Sequence, residues 1–400
     1  MKRLFLFVSL SILIALSATA FGQNYPQANR LVIKSEVLGE DRTILIRTPA
    51  GYERNSERYP VLYLTDGDGH IVHTSATIDF LARNGRMPEM IIVGITNTDR
   101  TRDLTPTNAA MKRADGSPAQ LPTSGGADNF LKFIETELIP KIESQYRTQP
   151  YRVFAGHSFG GLFALHTFLT RPEIFNAYIA VSPTFNWDNH LVSRKAEVFF
   201  KDRKELNRTL YFTLANEGGE AKAGFEKFKA ILSKNSPKGF VWASALMEDE
   251  DHGSVVMPTH YAAFRKVFEG WQPPNQLAAD GLSTLEKHYR KLSARFNYTI
   301  LPPEALINQL GYQLMGNGKN EEALAAFKWN VEHYSSSANV YDSLAEFYEK
   351  NGKLELAKPN YEKAVKIGEQ TGDPNLRVYK TNFDRVSEAL KKSAEAKGNQ

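Results

Sequence analysis

The 400-residue chain has no cysteine. That excludes disulfide bonds, thiolate metal sites, a cysteine nucleophile and lipid attachment at a leader-proximal cysteine. After residue 20, no segment approaches the roughly 18 apolar residues that a membrane-crossing helix needs. Neither a G-x-G-x-x-G nor a Walker sequence occurs, so no nucleotide cofactor is expected. "HIVH" supplies two histidines, His70 and His73, but no HExxH or carboxylate spacing accompanies them, and no metal is expected. Charge of one sign is scarce too. The net +4 falls to +2 without Lys2 and Arg3, too little to argue for nucleic acid or anionic membranes as partners.

What is present begins with "MKRLFLFVSLSILIALSATA", a short basic start, an apolar run and the small-x-small site Ala18-Thr19-Ala20. This pattern predicts a signal peptide over residues 1–22 and an exported, periplasmic or secreted protein. An N-terminal membrane anchor is the alternative, disfavoured by the short apolar core. From Arg30 to about Ala245, short β-rich runs alternate with helical patterns. "YPVLYLTDG" (59–67) and "MIIVGITN" (90–97) are near-continuous apolar runs, as expected of strands buried on both faces. "NFLKFIETELIPKIESQY" (129–146) spaces its apolar residues by three and four and predicts an amphipathic helix. Further strands are expected over 151–156, 177–183, 209–216 and 240–246. The alternation predicts an α/β fold with a mostly parallel sheet, over about residues 27–270.

"GWQPPNQLAADG" breaks the pattern and predicts a linker over residues 271–281. Beyond it, no strand candidate remains, and 282–396 reads as an all-helical domain. Ile307, Leu310, Gly311, Leu314, Gly318, Ala323 and Phe327 recur 34 positions later as Tyr341, Leu344, Ala345, Tyr348, Gly352, Ala357 and Tyr361. That period resembles the tetratricopeptide repeat, with units at about 304–337 and 338–371. The helical stretches before and after them are expected to cap the ends, and a protein partner is conceivable for such a module.

The chemistry concentrates in "VFAGHSFGGLFAL" (153–165). Gly156–Gly160 matches G-x-S-x-G, with an apolar strand before it and a helix after it. The pattern places Ser158 as a nucleophile on a strained strand-to-helix turn, with the helix N-terminus near a developing oxyanion. In the order Ser, acid, His, the base must follow. His166 lies two turns along the helix, His190 comes too early, His260 is in a helical run, and His288 and His333 lie past the linker. His252 in "EDEDHGSV" survives this elimination. Glu217 follows the preceding strand directly and is the expected acid. Glu248, Asp249, Glu250 and Asp251 are the alternatives beside His252. The N–H of Phe159 is expected to serve as one oxyanion donor and that of Gly67 or Asp68, in "TDGDGH", as the other, with Asp66 holding the turn.

"YPVLYLTDGDGH", "IIVGITNTDRTRDLTPT", "FLKFIETELIPKIE", "VFAGHSFGGLFAL", "AVSPTFNW" and "EDEDHGSVV" occur in order over about 27–270. Together they resemble the esterase family of α/β-hydrolases that includes esterase D and the enterobactin and salmochelin siderophore esterases. The resemblance implies a lidless α/β-hydrolase with Ser158 and His252 carrying the chemistry. It also implies that the acid varies, since some siderophore esterases work with a Ser–His pair. Trp187 matches a tryptophan that often follows "SP" in relatives. It is expected either to offer a flat wall to an acyl or aryl group or simply to pack. Arg100 and Arg102 either attract an anionic substrate or brace their loop through Asp99 or Asp103.

The expected activity is therefore carboxylic ester hydrolysis through an acyl-enzyme, without a cofactor, on a small-molecule or saccharide-linked ester such as a siderophore, feruloyl or acetyl ester. An acyltransferase using the same intermediate is the alternative within enzymes. An interaction protein with a vestigial hydrolase domain is the alternative outside them.

Overall fold

The computed structural model describes residues 28–112, 118–273 and 281–398. The leader reading over 1–22 and most of the linker reading lie outside the described residues. Eight strands form one sheet: β1 (Asn29–Ser35), β2 (Glu40–Arg47), β3 (Tyr59–Thr65), β4 (Ile91–Ile95), β5 (Thr148–His157), β6 (Ala177–Val181), β7 (Thr209–Ala215) and β8 (Val241–Met247). Their order is β1-β2-β4-β3-β5-β6-β7-β8. β1 and β2 pair as an antiparallel hairpin, β2 joins β4 antiparallel, and every pair from β4 to β8 is parallel. This is the α/β-hydrolase arrangement. The near-continuous apolar runs fall where they must: every residue of β3, β4, β6 and β7 is buried, because helices cover both faces.

On one face, α1 (Gly67–Arg83) and α8 (Val256–Val267) pack on Leu62, Leu64, Ile92, Val153 and Ile179. The other face carries the 127–145 helix with α5 (Phe159–Thr170), α6 (Leu191–Phe200) and α7 (Gly219–Lys234), sharing Tyr63, Val93, Phe154 and Phe212. The 127–145 helix is not uniform. Between α3 (Ala127–Phe133) and α4 (Ile139–Gln145) lies a π-helical turn, Ile134–Leu138. Pro140 lacks an N–H and its ring crowds the carbonyl four residues back, and the wider turn accommodates both.

Beyond residue 281 the described residues are helical. α9 (Leu282–Phe296) precedes two helix pairs, α10 (Glu304–Gly316) with α11 (Asn320–His333) and α12 (Ala338–Lys350) with α13 (Leu354–Thr371). α14 (Leu376–Gly398) closes the chain. The positions matched at a spacing of 34 residues take equivalent places. Gly318 and Gly352 end α10 and α12 in the left-handed conformation, at φ 74° and 72°. Phe327 and Tyr361 are buried in one shared core with Leu310 and Leu344.

α9 does more than cap. Its stripe Leu285, Tyr289, Leu292 and Phe296 is buried, but toward two different neighbours. Leu285 joins the core of the helical repeats, whereas Tyr289, Leu292 and Phe296 join the core under the sheet. Phe296 meets the Tyr151 ring edge-on at 4.9 Å and stacks on Phe268 at 5.5 Å. Phe296→Ala should destabilise the sheet domain by about 3–5 kcal/mol, since a buried aromatic leaves both lost transfer energy and a cavity. Urea unfolding followed by tryptophan fluorescence checks this, and an unchanged midpoint would show that α9 merely rests on the domain.

Candidate active site

The loops at the carboxyl ends of β3 to β8 share one edge of the sheet, where open α/β folds place their sites. Ser158 stands between β5 and α5 with φ 59° and ψ −114°, a conformation unfavourable for any residue with a Cβ. Its N–H donates to Val181 and its carbonyl accepts from Leu162, so the turn is held by backbone on both sides. The flanking glycines are required by contact. A Cβ on Gly156 would lie 2.4 Å from the Gly160 carbonyl carbon, and one on Gly160 would lie 2.3 Å from Thr65 Oγ1. The G-x-S-x-G spacing thus describes a turn that closes on itself and on β3.

His252 and Glu217 come together across two loops. His252 Nδ1 lies 2.9 Å from Glu217 Oε1. An ionised carboxylate only accepts, so the proton sits on Nδ1, and Nε2 presents its lone pair. Ser182, at the end of β6, donates its hydroxyl to the same Oε1 at 2.5 Å and accepts from the Ala215 N–H. Burial pushes the Glu217 carboxyl upward, but the hydrogen bonds from His252 and Ser182 outweigh it and hold the pKa below the ordinary value. A backbone bond from Asn216 N–H to the Glu250 carbonyl, 2.8 Å, ties the two loops. Asp251, an alternative acid, accepts instead from the backbone N–H groups of Gly253 and Ser254 and shapes the loop that carries His252. No hydrogen bond joins the Ser158 hydroxyl to His252 among the described residues; such contacts commonly tighten only with substrate bound. The nearest link is His157, whose Nε2 lies 2.7 Å from the His252 carbonyl oxygen.

Gly67 and Asp68 are the first two residues of α1, and Phe159 is the first of α5. Their N–H groups have no intrahelical acceptor, which makes them available as donors. The two helix starts lie side by side, because β3 and β5 pair in parallel with Leu64 opposite Ala155. Asp66 does hold the turn, in the left-handed region at φ 53°. Its carboxylate accepts from Arg100 Nε at 2.6 Å and Nη2 at 3.2 Å, and from Asn97 Nδ2 at 2.7 Å. Arg100, in the short helix α2 (Arg100–Leu104), also donates to the His157 carbonyl at 3.1 Å and lies over the Phe159 ring. Arg102 pairs with Asp103 at 2.7 Å and with Glu40 at 2.6 Å. Both arginines therefore brace the site and are already occupied by carboxylates.

Trp187 departs from the flat-wall expectation. It is 1% exposed, its indole N–H donates to Thr107 Oγ1, and Phe159 meets it edge-on at 5.4 Å. A buried ring cannot present an open face; its role is to support Phe159 and the loop above it. That loop, not the indole, borders an open cleft of about 610 Å³, lined by residues 108–110 and 186, by 188–190 and by Glu220. The lining is mostly amide and carboxylate.

Sequence reasoning missed Ser182 and a row of histidines. His157 packs against His252 at 4.7 Å between ring centres, and His70 lies edge-on to His157 at 5.6 Å. His70 Nδ1 is 3.1 Å from His73 Nε2, and His73 stacks on His260 at 5.8 Å. The sequence signalled only parts of this, in the spacing of three between His70 and His73 and in the adjacency of His157 to Ser158. Among the described residues no group of three or more His, Cys, Asp or Glu is disposed to hold a metal ion. His166 is buried, bonded to Asp128 and accepting from Lys195, away from the site.

Comparison with known proteins points to esterases. A family model described as "Putative esterase" matches residues 35–218. The chain is 35% identical over 174 residues to the ferri-bacillibactin esterase of Bacillus subtilis, covering 39% of this chain and 58% of that protein. It is 28% identical over 241 residues to a siderophore enterobactin esterase of Emericella nidulans, covering 49% of this chain and 78% of that one. The crystal structure of an IroE-like serine hydrolase from Shewanella oneidensis superposes with a TM-score of 0.66 at 29% identity, covering 77% of this chain and all of that one. The chain thus spans little more than half of the first of these relatives. Over residues 35–218 the chain is similar to this esterase family, and the sheet order and the strained elbow are of the same kind.

Proposed function

We propose that the protein is an exported serine esterase that hydrolyses a polar carboxylic ester of the siderophore type. The observation that carries this reading is the bonded array Ser182–Glu217–His252 beside the strained Ser158 elbow. In it, His252 takes the Ser158 proton, Ser158 Oγ attacks the ester carbonyl, and Glu217 fixes the imidazole tautomer and stabilises the imidazolium. The N–H groups of Phe159 and of Gly67 or Asp68 receive the oxyanion. The alcohol then leaves with the proton from His252, and water repeats the sequence to release the acid. The cleft of about 610 Å³ lies beside the loop that Trp187 supports rather than on Ser158 or His252, and its amides and carboxylates suit a hydroxyl- or amide-bearing part of the substrate better than a long acyl chain. The relatives' activities supply the siderophore class, and the N-terminal pattern supplies export. The paired helices are proposed as a tetratricopeptide-like module that binds a protein.

An ester panel on the protein lacking residues 1–22 tests this. Catechol-type siderophore lactones and short p-nitrophenyl esters are expected to be turned over, with p-nitrophenyl palmitate at least about tenfold slower. A protein that prefers the palmitate, or is not labelled by a fluorophosphonate, would refute the reading.

A further inference from the structure

We propose that His157, the residue before the nucleophile, is a positioning residue that holds the His252 loop at the elbow through its Nε2–H and the His252 carbonyl. This rests on the Ser158–His252 reading of the site and goes beyond it, because neither the elbow pattern nor the triad order requires a histidine at 157.

A carbonyl oxygen only accepts, so at 2.7 Å the hydrogen must lie on His157 Nε2. The bond joins the catalytic loop to the last residue of β5, His157, which pairs with Val181 of β6. Elsewhere the loop is tied by the Asn216–Glu250 backbone bond and by Asp251, while the exposed His252 has its ring bonded to Glu217 and packed on His157. Arg100 donates to the His157 carbonyl, so the residue is fixed at its backbone and at its ring.

The surroundings also keep His157 uncharged. Burial comes first, with the neighbouring His252 and His70 adding to it, and the pKa is pushed down to about 4. The groups facing it are His252 from its loop, His70 from α1, Asp66 and Arg100 beside the elbow, and Glu217 from the loop after β7. The hydrogen bond to the His252 carbonyl and the Asp66 carboxylate, which is shared with Arg100, pull the other way without offsetting burial. His70 and His73 are likewise pushed down by burial, and buried His260 well down. The row is a neutral wall. A charge on His157 would lie 4.7 Å, ring to ring, from the imidazolium that His252 becomes in the transition state, and would oppose it.

The test compares His157→Phe, His157→Gln and His157→Asn, with Ser158→Ala alongside, on a p-nitrophenyl ester from pH 4 to 9. Phe keeps the ring and loses the donor. Gln reaches the same carbonyl with an amide N–H, and Asn is too short. The Phe and Asn variants are expected to lose kcat on the order of 10- to 100-fold, the loss typical of a misplaced catalytic group, with KM within about threefold. The Gln variant should recover most of that loss. Below pH 5, wild-type kcat/KM should fall with one more proton than that of the Gln variant, because only the wild type protonates at 157. Wild-type kcat in the Phe variant, or equal impairment of folded Gln and Asn variants, overturns the inference. Turnover by Ser158→Ala would instead sink the underlying site reading.

Discussion

Ser158→Ala is expected to lower kcat on p-nitrophenyl acetate by about 10⁴- to 10⁶-fold, the range seen when a triad nucleophile is removed, while leaving the fold intact. The structural half of the expectation follows from the turn. Ser158 is held through its backbone N–H to Val181 and its carbonyl from Leu162, and alanine keeps both bonds. Among the described residues the hydroxyl makes no fold-bearing hydrogen bond, so only chemistry should be lost. A companion variant reads the strain directly. At φ 59°, ψ −114° a Cβ is unfavourable, and Ser158→Gly should be more stable than Ser158→Ala by about 1–3 kcal/mol. Urea denaturation of the two variants measures it. Residual turnover within tenfold of wild type would remove Ser158 from the mechanism, and equal stability of the two would mean the elbow is relaxed.

The sheet was legible because burial on both faces leaves no polar residue to interrupt the runs in β3, β4, β6 and β7, and each expected strand lies within a few residues of an observed one. The elbow was legible because its glycines are demanded by backbone contacts local to one turn. Glu217 and His252 were legible as positions in a chain order; that they meet, and that Glu217 outcompetes four nearby acids, depends on the Asn216–Glu250 backbone bond and on Asp251 turning to its own loop. Ser182 and the histidine row were not legible, since they converge from β6, α1, α8 and the elbow only after the sheet assembles. The burial of Trp187 was hidden for a related reason: a loop tryptophan reads the same whether it faces solvent or lies beneath its loop. α9 shows the limit of periodicity. Its apolar stripe announces a buried face but cannot say that one end serves the helical repeats and the other the sheet domain.

Glu217→Gln should lower kcat by about 10³- to 10⁴-fold, the size of loss that follows when a triad carboxylate becomes an amide of the same shape. The reason is proton placement. Glu217 Oε1 accepts from both His252 Nδ1 and Ser182, and its second oxygen is free to turn. With its carbonyl in the place of Oε1, glutamine can accept from both donors but brings no charge to stabilise the imidazolium. Turned the other way, it offers an N–H to His252 Nδ1 and favours the tautomer that carries its proton on Nε2 and cannot act as base. Asp251→Asn should cost no more than about tenfold, since its carboxylate meets backbone rather than the imidazole. If a Ser–His pair sufficed, both substitutions would be equally mild, and the ratio of the two losses decides between these mechanisms. Stability supplies an independent reading. The folded pKa of Glu217 lies below its ordinary value, so its ionised form contributes stability at neutral pH. That contribution is lost as pH falls through the folded pKa. The stability lead of wild type over Glu217→Gln should accordingly be full near pH 7 and vanish in acid. A lead that persists unchanged to pH 2 would mean that the carboxylate charge is not what His252 and Ser182 hold.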